Sequence, residues 1–203
     1  MNNYDRLINY MKKNNGYITV SEVNKLKIHR EFLSKLVERE LIERVDRGTY
    51  ILLDTFDDDL LSTQNKYKRG IYSHGTALYL HQLTDRTPLQ YTMTFPISYN
   101  ITNVKKDGVK TYRTSSMFYP LNIVLVKTTN GNFVRAYSIE KTLCDIVRGN
   151  CKLDIEQITT AYKVYAKSKH KKVSEIYRLA KLLRVEDKVR KYMEVLLWWI
   201  RVS

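Results

Sequence analysis

Residues 16–53 read GYITVSEVNKLKIHREFLSKLVERELIERVDRGTYILL, and the order of elements within them decides the fold of the N-terminal part. Thr19 stands as a helix N-cap, with Glu22 three residues on as its capping-box partner. A short helix follows over 20–25. A further helix begins near Ile28 or His29 and runs to about Glu40. Phe32, Leu33, Leu36 and Val37 make its buried face; His29, Arg30, Ser34, Lys35 and Glu38 make the other. The β-formers of 41–45 and 49–53 flank Asp46-Arg47-Gly48, a hairpin turn with glycine where φ goes positive. Upstream, Tyr4, Leu7, Ile8 and Met11 recur at three and four residues, so a first helix spans 3–13 and stops at Asn14-Asn15-Gly16. Tyr17-Ile18 is a short apolar step. Three helices, the last two joined by a tight turn, then a two-stranded hairpin: this is the order of a winged helix-turn-helix.

Working outward, residues 54–70 read as a linker. Asp57-Asp58-Asp59 is a like-charge run, expected in a solvated loop or linker helix. Residues 71–203 read as a second domain. Ser73 caps a helix to about Leu83, and Thr87-Pro88 ends that region, because proline disfavours helix in the residue before it. Strand-like runs follow at 90–94, 109–113, 122–127 and 133–137. Turns at Lys106-Asp107-Gly108 and Thr129-Asn130-Gly131 separate some of them, Asn130-Gly131 being the sharpest hairpin signal in the chain. Ser138 caps a helix from Ile139 to about Arg148, stopped by Gly149-Asn150. Helices at about 154–169, 173–183 and 186–199 complete it. The expected class is therefore α+β: domain 1–53, linker 54–70, and a mixed domain 71–203 with a small sheet and a C-terminal helical bundle.

Composition excludes several function classes. The chain has 203 residues, 43% of them hydrophobic and 28% charged, which fits folded domains rather than wholesale disorder. No apolar run approaches the roughly 18 residues of a membrane span, and Met1-Asn2-Asn3-Tyr4-Asp5 does not read as a signal peptide. Two cysteines, Cys144 and Cys151, read as reduced thiols of a cytoplasmic protein, not as a metal pair. No glycine-rich phosphate loop of the G-x-x-x-x-G-K form and no glycine-flanked nucleophilic serine appears. His74 and His81 lie seven apart, too far for a helical metal pair, and read as core or surface histidines. Glu140 and Asp145 share a helix with no evident partner. No catalytic residue, metal ligand or cofactor is expected.

The net charge of +14 points to a polyanion. Residues 1–53 hold 10 basic and 7 acidic side chains, whereas 71–203 hold 22 and 10, so the excess sits outside the helix-turn-helix. Lys27, His29, Arg30, Ser34 and Lys35 are candidate base readers, because such a helix enters the major groove by its N-terminal half. Arg47 at the hairpin tip suits a minor groove or a phosphate. Thr19 and Ser21, at a helix N-terminus, suit phosphates. Eight basic residues crowd 163–184 against Glu175 alone, and Lys169, Lys171 and Lys172 among them are candidate backbone contacts. A solvated helical surface and a protein-binding helix-turn-helix are the competing readings.

The whole chain resembles the AbiEi antitoxins of bacterial abortive-infection operons. The likeness rests on Gly16-Tyr17-Ile18-Thr19 and Arg47-Gly48-Thr49-Tyr50, on Ile71-Tyr72-Ser73-His74-Gly75-Thr76-Ala77-Leu78, on Leu83-Thr84-Asp85-Arg86-Thr87-Pro88, and on Tyr137-Ser138-Ile139-Glu140-Lys141-Thr142-Leu143-Cys144-Asp145. Lys141 occupies a position often filled by arginine in that family. The resemblance implies an N-terminal domain that binds operator DNA, inverted repeats in its own promoter, and represses it. It implies a C-terminal antitoxin domain that counters an AbiEii-like nucleotidyltransferase toxin, with no stable complex required. The expected protein is a monomer in solution, cooperative on DNA, with no membrane partner. Two alternatives stay open: a direct toxin inhibitor or RNA-binding adaptor, and an enzyme reversing the toxin's modification.

Overall fold

A computed structural model describes residues 2–55, 58–149, 151 and 153–202. Met1, Asp57 and Asn150, used in the readings above, lie outside the described residues. The chain divides into two compact units, residues 1–68 with 127–134 and residues 69–126 with 135–203. The class is mixed α+β, with two sheets among the described residues.

The first unit runs α1 (Asn3–Lys13), β1 (Tyr17–Thr19), α2 (Val20–Lys25), α3 (Glu31–Glu38), β2 (Ile42–Asp46), β3 (Thr49–Leu52) and α4 (Asp59–Lys66). The expected Thr19–Glu22 capping box forms. Thr19 Oγ1 accepts from Glu22 N, while Glu22 Oε2 takes the Thr19 backbone N–H at 2.7 Å. The α1–β1 turn passes Asn15 at φ 52° into Gly16 at φ 84°. A side chain at Gly16 would run into Thr55, whose Oγ1 lies 2.1 Å from an ideal Cβ position, so only glycine fits. The Tyr17-Ile18 step is a strand. It pairs antiparallel with β3, giving sheet order β1-β3-β2. Three residues are too few to show a period.

The third helix is shorter than its apolar pattern suggests. Lys27 takes the left-handed conformation at φ 57°, so the turn after α2 uses up residues 27–30. Glu40, at φ 54°, closes the other end. Leu33 and Leu36 are buried with Leu7, Met11, Ile18, Val23, Ile28 and Ile42. Each such side chain contributes about 1.5–3 kcal/mol on burial. Val37, expected inside, is 37% exposed, and Phe32 is half-buried with its ring edge-on to Tyr4.

Asp58 departs from a solvated loop. It is 3% exposed. Its Oδ1 caps α4 by accepting from Leu60 N and Leu61 N at 3.1 Å, and its Oδ2 accepts from Thr128 Oγ1 at 2.5 Å and Asn132 Nδ2 at 2.9 Å. The Tyr17 hydroxyl accepts from its backbone N–H.

The second unit runs β4 (Ile71–Tyr72), α5 (His74–Leu80), β5 (Thr92–Pro96), α6 (Thr102–Lys106), β6 (Lys110–Thr114), β7 (Ile123–Lys127), β8 (Phe133–Tyr137), α7 (Ile139–Ile146), α8 (Ile155–Lys167), α9 (Val173–Leu182) and α10 (Glu186–Val202), the β7–β8 turn counting with the first unit. Sheet order is β6-β5-β4-β8-β7. The two-residue β4 lies at its centre, antiparallel to β5 and parallel to β8. Helices α7, α8 and α9 bury Leu143, Tyr162, Tyr165, Ile176 and Leu179 in one apolar cluster with Val189 and Met193 of α10. Val164, between Tyr162 and Tyr165 on α8, is 41% exposed. Among the described residues no helix is long and apolar enough to cross a membrane.

Candidate nucleic-acid interface and a polar pocket

In the first unit, the stretch from Lys27 to Lys35 carries the expected readers. Lys27, His29, Arg30, Ser34 and Lys35 are all exposed. The left-handed turn at Lys27 separates α2 from α3 and leaves the start of α3 clear of Leu33 and Leu36, which face the core. His29 Nδ1 accepts from Glu31 N at 3.4 Å and so covers one open N–H of α3. Glu31 also pairs with Lys35 at 2.7 Å. That hydrogen bond holds the Glu31 carboxyl below its usual range and the Lys35 ammonium above its own. Both side chains are in water, where such a pair opens readily.

A second group forms at the start of α2. Val20 N donates to Gly48 O at 2.9 Å, tying the β2–β3 turn to the helix N-terminus. Exposed Arg47 is thereby brought beside Thr19 and Ser21. Ser21 is exposed, but the Thr19 hydroxyl and backbone N–H are both committed to Glu22. Thr19 therefore shapes this end as a cap. Lys169, Lys171 and Lys172 lie in the α8–α9 connection of the second unit. Lys169 and Lys172 are exposed, and half-buried Lys171 donates from Nζ to Ser168 O at 3.1 Å.

The second unit also holds a polar cavity of about 80 Å³, lined by His74, Thr94, Tyr112, Arg113, Thr114, Lys141, Asp145, Arg148 and Cys151. Its parts come from α5, β5, β6 and α7. Asp145, read from sequence as lacking a partner, has one a single turn back: Lys141 Nζ lies 2.5 Å from Oδ2, both groups being buried. Arg148 approaches Asp145 Oδ1 at 3.7 Å. Lys141 also sits over the Tyr137 ring at 4.4 Å. The i,i+4 spacing was the sequence signal for this pair. Nothing in the sequence signals Tyr112 or Thr94, which arrive through strand pairing.

His74 is at the centre. Its ring stacks on Tyr112 at 3.8 Å between centroids, its φ is 48°, and its Nδ1 meets Ser73 Oγ at 3.0 Å. Ser73 precedes α5 but makes no side-chain cap; its hydroxyl serves His74 and Thr94 instead. Burial pushes the His74 imidazolium down to about 4, Asp145 opposing and Lys141, Lys110 and Arg148 assisting. Both cysteines are free thiols. Burial, then Asp145, lifts Cys144 to about 12, which keeps it unreactive. Among the described residues no cluster of three His, Cys, Asp or Glu side chains forms.

Residues 5–52, from the first turn of α1 through β3, match the family described as "Transcriptional regulator, AbiEi antitoxin". Over that stretch the chain is similar to the AbiEi antitoxin family. The AbiEi match takes in every candidate reader of the first unit, Thr19 to Arg47, and none of the second. The solved structure of the RV2827C protein from Mycobacterium tuberculosis is similar at 12% identity, with a TM-score of 0.54 over 97% of this chain and 81% of that one. That is a likeness of fold. No curated protein matches the chain.

Proposed function

We propose that this AbiEi-family regulator is a cytoplasmic, non-enzymatic antitoxin that represses its own operon. The first unit acts as a winged helix-turn-helix on inverted repeats in the promoter, with α3 in the major groove and the β2–β3 turn as the wing. Residues from about 71 onward, including the helical bundle, counter a nucleotidyltransferase-like toxin without a lasting complex. The supporting observation is that the AbiEi match covers the elements that expose Lys27, His29, Arg30, Ser34 and Lys35. Arg30 and Lys35 are the side chains suited to guanine O6 and N7, where a good bidentate contact gives about 1–3 kcal/mol of discrimination. An Arg30→Ala/Lys35→Ala protein should bind a duplex of its own promoter at least tenfold more weakly, with an unchanged circular dichroism spectrum. It should still rescue cells expressing the toxin. Undiminished promoter binding would remove α3 from the reading role; lost rescue would remove the division of labour.

The position of the charge favours one second reading. Because 71–203 carries 22 basic side chains against 10 acidic, while Glu31 and Glu38 sit on α3 itself, an RNA-binding adaptor or direct toxin inhibitor would place its contacts in the second unit. Parallel salt titrations with promoter duplex and with non-specific RNA separate the two. Preference for RNA at every salt concentration supports the adaptor.

A further inference from the structure

We propose that the cavity of the second unit is a binding site for a phosphoryl group, held by Arg148, Lys141 and Lys110 over the stacked His74–Tyr112 pair. The inference is independent of DNA reading by α3, and either can fail alone.

Size comes first. A cavity of about 80 Å³ is large enough for one tetrahedral oxyanion and opens to solvent. Its ligand is therefore a small anion or the anionic end of a larger molecule. Charge comes second. Lys141 and Asp145 neutralise each other at 2.5 Å, which leaves Arg148 on the lining and Lys110 over the outer ring Tyr112 at 6.0 Å. Arg148 is only loosely held, at 3.7 Å from Asp145. A guanidinium and an ammonium beside a partly enclosed space supply several charged donors suited to phosphate oxygens.

Hydrogen-bond donors come third. Thr94 Oγ1 donates to Ser73 Oγ at 2.8 Å, and Ser73 Oγ in turn faces His74 Nδ1. With Ser73 donating onward, the His74 proton resides on Nε2, so the neutral ring is itself an N–H donor. The ring is held in place by its stacking on Tyr112 and by a left-handed backbone that a non-glycine residue adopts only when its surroundings impose it. Finally, the cavity is where separate stretches of the sequence meet. His74 follows β4, and Lys141, Asp145 and Arg148 follow β8, its parallel neighbour in the sheet. Stability alone does not call for two further cations, Arg148 and Lys110, around an ion pair that is already neutral.

The test uses the full chain at constant ionic strength. Imidazole resonances of His74 are followed while inorganic phosphate, adenosine monophosphate, a 5′-phosphorylated oligoribonucleotide and acetate are added in separate titrations. His74 should shift saturably with phosphate-bearing probes and not with acetate, while His81 stays still. Saturation by phosphate alone identifies the group as the ligand. Saturation only by the oligonucleotide or the nucleotide shows that the phosphoryl group is read on a larger molecule. Lys141 is buried and its loss endangers the fold, so Lys110→Gln and Arg148→Gln are the test variants. Each should weaken binding by about tenfold, as loss of one charge-assisted contact does. Lys172→Gln should leave it unchanged. No saturable shift with any phosphate probe, equal response to acetate, or indifference to both variants would overturn the proposal.

Discussion

His74 couples the pocket to stability. Its neighbours on α7 are Lys141, Asp145 and Arg148, and on β6 Lys110; only Asp145 favours the charged ring, and burial outweighs it. In the unfolded chain the same side chain titrates near 6.5, while the folded protein holds it neutral down to about 4. Between those values the unfolded state binds a proton that the native state does not. Stability from this group is thus complete above pH 6.5 and is lost as pH falls toward 4, by at most about 3 kcal/mol. His81, also lowered by burial, adds a slope of the same sign, countered by its hydrogen bond to Tyr137 O and by Glu140. The His74→Gln protein should therefore show a shallower decline in urea midpoint over that window, with the His81 part remaining. An NMR midpoint for His74 near 6.5 in the native protein would contradict the burial argument. Little of this was legible in sequence. The Lys141–Asp145 spacing was on view, but what isolates His74 comes from strand pairing, which brings Thr94 and Tyr112 to it from 20 and 38 residues away.

Elements were legible where they were long, capped or punctuated. The Thr19–Glu22 box, the Gly48 turn and the 3.6-residue period of α1 are local signals, and α1 and α2 fall where those signals put them. The shorter pieces β1, β4 and α6 escaped because two to five residues display no period; β4 is recognisable only as the strand that β5 and β8 close upon. Helix α4 was legible only as one of two alternatives, loop or linker helix, for another reason. A run of aspartates reads as solvated, yet Asp58 caps the helix with one carboxylate oxygen and satisfies Thr128 and Asn132 with the other. Removing it strips a cap, worth about 1 kcal/mol, and leaves buried polar groups unpaired, at about 1–3 kcal/mol. Asp58→Ala should lower unfolding stability by about 2–4 kcal/mol, measured by urea titration of far-UV circular dichroism. Asp59→Ala, at the exposed start of the same helix, should cost well under half of that. Equal costs would mean that the run is a solvated one after all.

On the scale of the whole molecule, the charge is distributed against the simplest account of a DNA-binding regulator. The unit that carries the AbiEi match has a small basic excess, while residues 163–184 hold eight basic side chains and Glu175. Packing explains why the lysines point outward: Tyr162, Tyr165, Ile176 and Leu179 fill the inner faces of α8 and α9, leaving Lys163, Lys167, Lys169, Lys172, Lys181 and Arg184 exposed. Tyr162 and Tyr165, interleaved among them, are therefore core residues and offer no stacking platform for bases. Arg178 is committed to Glu175 through two hydrogen bonds, and with Asn122 they hold the Glu175 carboxyl down at about 2. The remaining cations crowd one another, and a bound polyanion would relieve that repulsion. If the polyanion is the operator, these side chains meet phosphates and carry no sequence information. Each phosphate neutralised steepens the dependence of log affinity on log salt by about 0.9. Replacing Lys169, Lys171 and Lys172 with glutamine in the full chain should flatten that slope by about 2–3 units while the preferred operator stays the same. Arg30→Ala should do the opposite, relaxing operator preference with little change in slope. The lysine triple variant binding promoter DNA with its slope intact, yet losing the ability to protect cells from the toxin, would move the second unit's charge from DNA to the antitoxic function and leave the first unit as the whole of the operator contact.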